Sequence, residues 1–398
     1  MLQQSIERAD EREHLPSLLA ADADELVRRL QHHQKLTFPP AARKTLRLFS
    51  PAEAAGFIGI GEGYLRQIAA DGHGPAPQPN GRRLYSISDI EAIRRVLDDG
   101  GRAGKYVPHR RLGEKLQVIS VMNFKGGSGK TTTSAHLAQY LALRGYRVLA
   151  VDLDPQASLT ALFGHQPELD VGEGETLYGA IRYADPRPVR DVVRATYMAN
   201  LALIPGNLEL MEFEHETPKA MMGARTETIF FARLGEVLAE IEADYDVVVI
   251  DCPPQLGYLT MSALCAATSV LITVHPQMLD VMSMAQFLSM TSELMAVVET
   301  AGGRTDYDWM RYLVTRLEPN DGPQSQMTGF MRAIFGNRML TNAMLKSTAI
   351  SDAGVTKQTL YEIDRSQFIR GTYDRAMESL GLVNREVEDL LRGVWGRR

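Results

Sequence analysis

From Gln117 onward the chain alternates short, almost wholly apolar runs with longer stretches of helical period. QVISVMNF (117–124) is the first run and RVLAVDLDP (147–155) the second. LALIPG (201–206), YDVVVIDCPP (245–254), SVLITVHP (269–276) and WMRYLVTRLEP (309–319) follow. Between the first two, Ala135, Leu137, Ala138, Leu141 and Ala142 recur at helical spacing, and Gly145 closes the helix. A strand with no polar face must be covered on both sides. The pattern therefore predicts the α/β class, a doubly wound and mostly parallel sheet over 117–398.

The front of the chain has a different grammar. In 1–36, Leu15, Leu18, Leu19, Leu26, Val27 and Leu30 are apolar among charges at rough helical spacing, and TFPPAAR (37–43) breaks the pattern. We read 1–40 as an N-terminal helix that either dimerises or packs on the body. LFSPAEAAGFIGIGEGYLRQIAADG (48–72) reads as helix, glycine turn, helix, with Ser50 as N-cap, Pro51 at the first helical position, and Gly59 and Gly61 in the turn. Asn80-Gly81 signals a hairpin whose return strand carries Arg82, Arg83 and Tyr85, and Asp89 begins another helix. Residues 46–97 then form a helical, winged helix-turn-helix domain, and the Gly-rich, basic 98–116 a linker.

Composition changes this picture only a little. The 398 residues are 44% hydrophobic and 23% charged with a net charge of −6, so the whole is no basic nucleic-acid coat. Residues 1–115 hold 18 Lys+Arg against 15 Asp+Glu, a net of +3, which leaves −9 for the remainder. That asymmetry fits nucleic acid at the front, and equally a chance scatter of surface charge. No apolar run reads as long enough to span a bilayer, and the polar N-terminus is no secretory signal. Cys252 and Cys265 give neither a disulfide framework nor zinc spacing, which fits a reducing cytoplasm.

The chemistry concentrates in NFKGGSGKTTT (123–133). It follows a strand and opens a helix, the context that a G-x-x-x-x-G-K-[ST] phosphate loop requires. Phe124 stands where the first glycine is usual, and Lys125 adds a second lysine at the head. Gly126, Gly127 and Gly129, with Ser128 among them, let backbone amides curl around phosphate oxygens. Lys130 is expected at the β- and γ-phosphates of ATP, Thr131 on Mg²⁺, and Thr132 beside them at the helix start. Asp251, ending DVVVID, is the expected second Mg²⁺ carboxylate, and Asp152 and Asp154 lie at the strand end where ligands bind in open α/β sheets. Pro276 and Arg316, which end later runs on that edge, are adenine candidates or packing residues. Lys125 reads equally well as a solvent-facing lysine or as a functional cation.

FKGGSGKTT, VLAVDLDPQASLT and YDVVVIDCPP resemble the deviant-Walker ATPases of the ParA group, which segregate plasmids and chromosomes. The front unit and HPQMLDVMSMAQF look most like the RepA branch of repABC-type plasmids. The resemblance covers about 117–398 and implies a homodimer, in which the lysine matching Lys125 crosses into the partner's nucleotide site. It also implies that Asp154 positions the attacking water, that Lys125, Lys130 and Asp154 are the catalytic set, and that a ParB-like centromere-binding protein stimulates hydrolysis. Nucleoid association in the cytoplasm, without a membrane, follows from the same resemblance.

Two nucleic-acid surfaces are expected. In the front unit, Tyr64, Arg66 and Gln67 would form a recognition helix and Arg82 and Arg83 a basic wing, which resembles the MerR-like domains and implies operator DNA and autorepression. The competing reading is a packing or dimerisation unit. In 330–375, Arg338, Lys346 and Arg370 are candidates for non-specific nucleoid DNA, which the resemblance places in this region, although Glu362, Asp364 and Asp374 interleave as on a solvated face. Other functions weighed are a transcription regulator with nucleotide as a structural switch, a membrane-cycling positioner of the MinD kind, and a nitrogenase-type iron–sulfur reductase. The positioner needs a basic C-terminal amphipathic helix, and Glu386, Glu388 and Asp389 oppose an anionic surface. The reductase needs a bridging cysteine pair, and neither cysteine fits.

Overall fold

The computed structural model describes residues 14–37, 44–100, 104–223 and 229–397, and side chains outside 30–37. The chain divides into two compact units, Met1–Lys44 and Thr45–Arg398. In the first, helix α1 (Leu15–Thr37) leaves Leu15, Leu18, Leu19, Leu26 and Val27 exposed. Glu25 pairs with Arg28 and Arg29 one turn on, a surface arrangement that adds only tenths of a kcal/mol. Residues 1–13, the Leu30 side chain and the break at 38–43 lie outside the described residues.

The second unit opens with helix α2 (Pro51–Ile58). Its start is fixed by a reciprocal cap: the Glu53 amide donates to Ser50 Oγ and the Ser50 amide to the Glu53 carboxylate. Gly59, at φ +82°, ends it, because a left-handed residue is needed there. Helix α3 (Glu62–Ile68) runs into one wider turn, Ala69–His73. Helix α4 (Ile87–Asp99) begins two residues before the expected Asp89, because Ser86 is the cap and Asp89 closes the box from the third position.

The hairpin takes a shorter form than expected. Asn80-Gly81 does make a tight turn, closed by the Gln78 amide on the Arg82 carbonyl (2.8 Å). The return arm then leaves its partner: Tyr85 pairs with Phe49, each amide donating to the other's carbonyl at 2.8 Å. Pro75, Pro77 and Pro79 explain this, since alternate prolines remove the donors a ladder needs.

Among the described residues seven strands form one sheet: β1 (Gln117–Met122), β2 (Val148–Asp152), β3 (Arg194–Ala195), β4 (Leu201–Ile204), β5 (Val247–Asp251), β6 (Ser269–Val274) and β7 (Trp309–Val314). The order is β3-β4-β2-β5-β1-β6-β7, and all neighbours are parallel except the two-residue edge β3. Along each strand the side chains divide between two cores. Ile119, Val121, Val148, Ala150, Val247 and Val249 face one, and Val118, Leu149, Val151, Val248 and Ile250 the other. This period of two with no polar face is why the runs read as continuously apolar.

The first of these cores does not stop at the body. It includes Phe49, Leu65, Tyr85, Ile90 and Ile93 of the front helices alongside Leu141, Leu143 and Tyr146 and the C-terminal helix Arg370–Val394. The expected linker is also tied down. Asp98 accepts from the amides of Gly104, Lys105 and Tyr106 at 2.7–3.0 Å. The Arg110 amide donates to Asp246, and Arg397 donates to the carbonyls of Pro108 and His109. Residues 101–103 lie outside the described residues.

The expectation that no apolar run is long enough to span a bilayer needs one correction. Met278–Thr300, 23 residues with a mean hydropathy of 1.3 over its most apolar window, is by length and composition long and apolar enough to cross a membrane. It lies directly after β6, with Met284, Phe287 and Val298 buried against the sheet and Asp280 in its first turn.

Candidate nucleotide-binding site

The C-terminal ends of β1, β2, β5 and β6 meet at one edge, and the segment between β1 and helix α5 (Lys130–Leu143) folds over it as a loop. Two glycines carry the turn, Gly127 at φ +76° and Gly129 at φ +86°, conformations that cost other residues strain. The loop is braced from outside by side chains. Ser128 Oγ bonds Thr273 Oγ1 (3.0 Å), Thr315 Oγ1 donates to the Ser128 carbonyl (2.7 Å), and Arg316 donates to the Gly127 carbonyl (3.0 Å). Asn123 donates to the Thr273 carbonyl and accepts the Lys125 amide (3.0 Å). With the carbonyls so occupied, the loop amides are left to face an anion.

The two lysines differ in kind. Lys130 is 6% exposed, and burial lowers its pKa while Asp251 and Asp154 pull it back up. Its ammonium lies 3.4 Å from the Lys125 carbonyl. The Lys125 side chain is 44% exposed at the mouth and pairs with Asp280, whose other oxygen is 3.0 Å from His275 Nδ1. Phe124 stacks on Phe287, ring centres 6.2 Å apart, so the residue in the missing glycine's place anchors the loop to the helix Met278–Thr300.

Behind Lys130 lies a pair of buried carboxylates. Asp152 and Asp251 are register partners on β2 and β5, both fully buried. Burial raises both pKa values, and the charge of Asp251 adds to the rise at Asp152. Thr160 donates to Asp152 through its amide (2.8 Å) and its hydroxyl (2.7 Å). Ser134 donates to Asp251 Oδ1 (3.1 Å), and Thr131 and Lys130 also lower the Asp251 pKa, while Oδ2 has no hydrogen-bond partner. A buried carboxylate oxygen without a donor, beside a second carboxylate, suits a divalent cation. Asp154 is half-buried where β2 ends, and its charge is felt at Lys130 and Asp251.

A family profile described as an AAA domain matches residues 116–300. A protein of Rhizobium rhizogenes named "Putative replication protein A" is 60% identical over 388 residues, 96% of this chain and 96% of its own length. "Chromosome-partitioning ATPase Soj" of Treponema pallidum is 30% identical over 242 residues, 60% of this chain and 86% of its own. This chain belongs to the ParA-type partition ATPases. A solved structure described as "Partition Protein" shares the fold at 17% identity, with a TM-score of 0.63 over 95% of this chain and 99% of that one.

Against this family's fold the expected residues fall into three places. The structure gathers Lys125, Gly126, Gly127, Ser128, Gly129, Lys130, Thr131 and Thr132 at the loop, with Asp154 and Asp251 facing it. Tyr64, Arg66 and Gln67 are exposed on α3, with Arg66 paired to Glu62. Arg82 is exposed at the hairpin tip, while Arg83 donates to the Pro75 carbonyl (2.5 Å) and helps hold the turn. Arg338 lies over the Phe335 ring, Lys346 pairs with Glu318, and Arg370 is exposed at the start of the last helix. Of the adenine candidates, Arg316 braces the loop itself, and Pro276 is buried beside Met278 and Met282 in an apolar groove. Asn123, Thr273, Thr315, His275 and Asp280 were not foreseen. Asp280, an acid among the apolar residues of HPQMLDVM, was the visible signal.

Proposed function

We propose that this chain is an Mg²⁺-dependent ATPase whose ATP-bound homodimer grips DNA without sequence preference and releases it on hydrolysis. The observation that supports this reading is the division of labour between the lysines. Lys130 is buried against Asp251 and Asp154, whereas Lys125 stands at the mouth, held by its ion pair with Asp280. A cation in that position can leave its own loop and reach phosphate oxygens across a dimer interface, as an arginine finger does in trans.

In this reading Lys130 and the loop amides hold the β- and γ-phosphates, and Thr131 and Asp251 hold Mg²⁺, which would offset phosphate charge. Asp154 orients the attacking water rather than abstracting its proton, because carboxylates are weak bases. A ParB-like partner raises the hydrolysis rate, and the cycle runs on the nucleoid. The α2–α4 module binds operator DNA through Tyr64, Arg66, Gln67 and Arg82 and represses its own operon. Arg338, Lys346 and Arg370 contribute to non-specific binding.

The membrane-cycling alternative loses support from the last helix, since Val387 and Leu391 are fully buried against the body and leave little apolar face for lipid. The regulator reading keeps some support from the shared core, which couples the front module to the nucleotide side.

The deciding experiment measures DNA binding by wild type and Lys125→Ala, with ADP and with ATP, on operator and on random duplex. Wild type should bind random DNA only with ATP, and the variant should lose this while keeping operator binding. If neither protein binds random DNA with ATP while both bind operator alike, the chain is a repressor with a nucleotide pocket.

A further inference from the structure

Just past the end of β7 the chain places an arginine in an unusual backbone state. Arg316 has φ +53°, in the left-handed region that a residue with a Cβ rarely enters and that glycine enters freely. Its neighbours hold it there. The Thr315 amide donates to the Val274 carbonyl (2.8 Å), the Leu317 amide to the Met344 carbonyl (3.0 Å), and Thr315 Oγ1 to the Ser128 carbonyl (2.7 Å). An arginine at this position keeps a guanidinium there at a conformational cost that glycine would not carry.

The side chain is exposed and lines a cavity of about 250 Å³ with Lys125, Gly126, Gly127, His275 and Asp280. One N–H donates to the Gly127 carbonyl (3.0 Å), and among the described residues its other donors have no partner. No carboxylate among the described residues lies within ion-pair distance of it. Asp280, the one acid among the described lining residues, is taken by Lys125 and His275, and the nearby Glu318 by Lys346. Burial lowers the His275 pKa, and the charges of Arg316 and Lys125 lower it further, so the guanidinium is felt inside the cavity.

Position along the sheet edge decides which part of a nucleotide this cation meets. Asp251 ends β5 and Arg316 follows β7, with β1 and β6 between them. Neighbouring strands lie about 4.8 Å apart, so the two positions are separated by roughly 14 Å. A nucleotide whose Mg²⁺-bearing phosphates lie at Asp251 therefore reaches Arg316 with its sugar end. Beyond lies the apolar groove of Pro276, Met278 and Met282, which shares Gln277 with this cavity. We propose that Arg316 is a nucleotide-binding residue, which gives its free N–H groups to an oxygen of the phosphate nearest the sugar while one still braces Gly127. A guanidinium spans two acceptors in its plane, so one side chain can join the loop to its ligand. This role rests on the nucleotide reading above and adds a cation for the part of the phosphate chain that ATP and ADP share.

The test compares wild type with Arg316→Gly and Arg316→Lys in the full chain, by titration with fluorescent ADP and ATP and by melting temperature without ligand. Glycine fits the left-handed backbone, so Arg316→Gly should melt no lower than wild type. It should bind ADP and ATP each at least tenfold more weakly, and Arg316→Lys, which keeps the charge, should recover part of that loss. Inorganic triphosphate as competitor should lose affinity in step, and adenosine should not. The role is overturned if Arg316→Gly binds ADP as wild type does, or if the loss is confined to ATP, which would place the contact across a dimer. It is also overturned if triphosphate binds both proteins equally, which would assign Arg316 to the base or sugar. A lower melting temperature with no recovery by lysine would overturn it too, leaving Arg316 a brace of the loop alone. Failure of the nucleotide reading looks different: wild type itself would bind neither ADP nor ATP, and this role would fall with it.

Discussion

At the phosphate loop, Lys125 and Lys130 project from a backbone whose carbonyls are braced by Arg316 and Thr315 and whose Lys125 amide is held by Asn123. At the seam under the front helices, Arg94 and Arg144 meet the carbonyl ends of two helices. Arg94 donates to Phe57 (2.5 Å), Leu143 (3.0 Å) and Tyr106 (2.9 Å), and Arg144 donates to Gly56 (3.0 Å) and Phe57 (2.8 Å). The C-terminal end of a helix carries partial negative charge, so these arginines are satisfied by structure. Lys125, by contrast, meets the Asp280 carboxylate, and Lys130 only a long bond to the Lys125 carbonyl (3.4 Å) among the described residues, contacts that an incoming anion can replace. The same side-chain charge thus joins the molecule in one place and stays exchangeable in the other, according to whether helix-end carbonyls or looser contacts face it.

The largest effect expected from breaking this contrast is at the seam. Arg94→Ala should destabilise the chain by about 3–5 kcal/mol, because the buried Leu143 and Tyr106 carbonyls lose their donor and the buried Glu91 loses its partner. Urea unfolding checks this, and a loss below about 1 kcal/mol would mean the guanidinium is not the joint described here. At the loop, Lys130→Ala should leave stability near wild type and weaken ATP binding by about two orders of magnitude, the worth of a charged phosphate contact. Fluorescent-nucleotide titration reads it, and unaltered affinity would remove Lys130 from the phosphate site.

Asp154→Ala should bind ATP, remain dimeric and turn over at least tenfold more slowly, since only water placement is lost. Normal turnover would refute that role. Asp280→Asn tests exchangeability directly. The Lys125 side chain is 44% exposed, so the pair is worth about 1 kcal/mol at most, and its loss should favour the ATP-bound dimer about fivefold. Sedimentation with ATP should show the shift, and a weaker dimer would mean that Asp280 aims Lys125 rather than restrains it.

The smallest effect concerns pH. Burial raises the pKa of Asp152 and Asp251 above the unfolded values, so the folded chain binds more protons than the unfolded chain between about pH 4 and the raised values. Stability that these groups contribute is present at the acidic end and is lost as pH rises through the folded pKa values. Without Mg²⁺, thermal stability should fall from pH 5 toward 8. Asp152→Asn should flatten that slope, and an unchanged slope would exclude the pair as its source.

Much of the fold could be read along the chain because its rules are local. The apolar runs became β1, β2 and β4–β7, the glycine-rich loop sat between strand and helix, and Ser50 capped α2. Asp251 was legible as the polar end of an apolar run. Other features rest on contacts far apart in sequence. Tyr85 pairs with Phe49 rather than with its own hairpin arm, and Lys125 meets Asp280 across 155 positions. The apolar length of the helix Met278–Thr300 was missed for a local reason: its serines, threonines and Gln286 interrupt the apolar run in sequence, and a window average restores it.

The sequence by itself determined the α/β class, the phosphate loop with its two lysines, and the carboxylates at the strand ends. Period, glycine placement and strand polarity act within a few residues. Only the tertiary structure decided which charges are fixed and which can be exchanged. That choice depends on whether a distant segment brings a helix-end carbonyl or a carboxylate to the cation, and such proximity is set by packing of the whole chain.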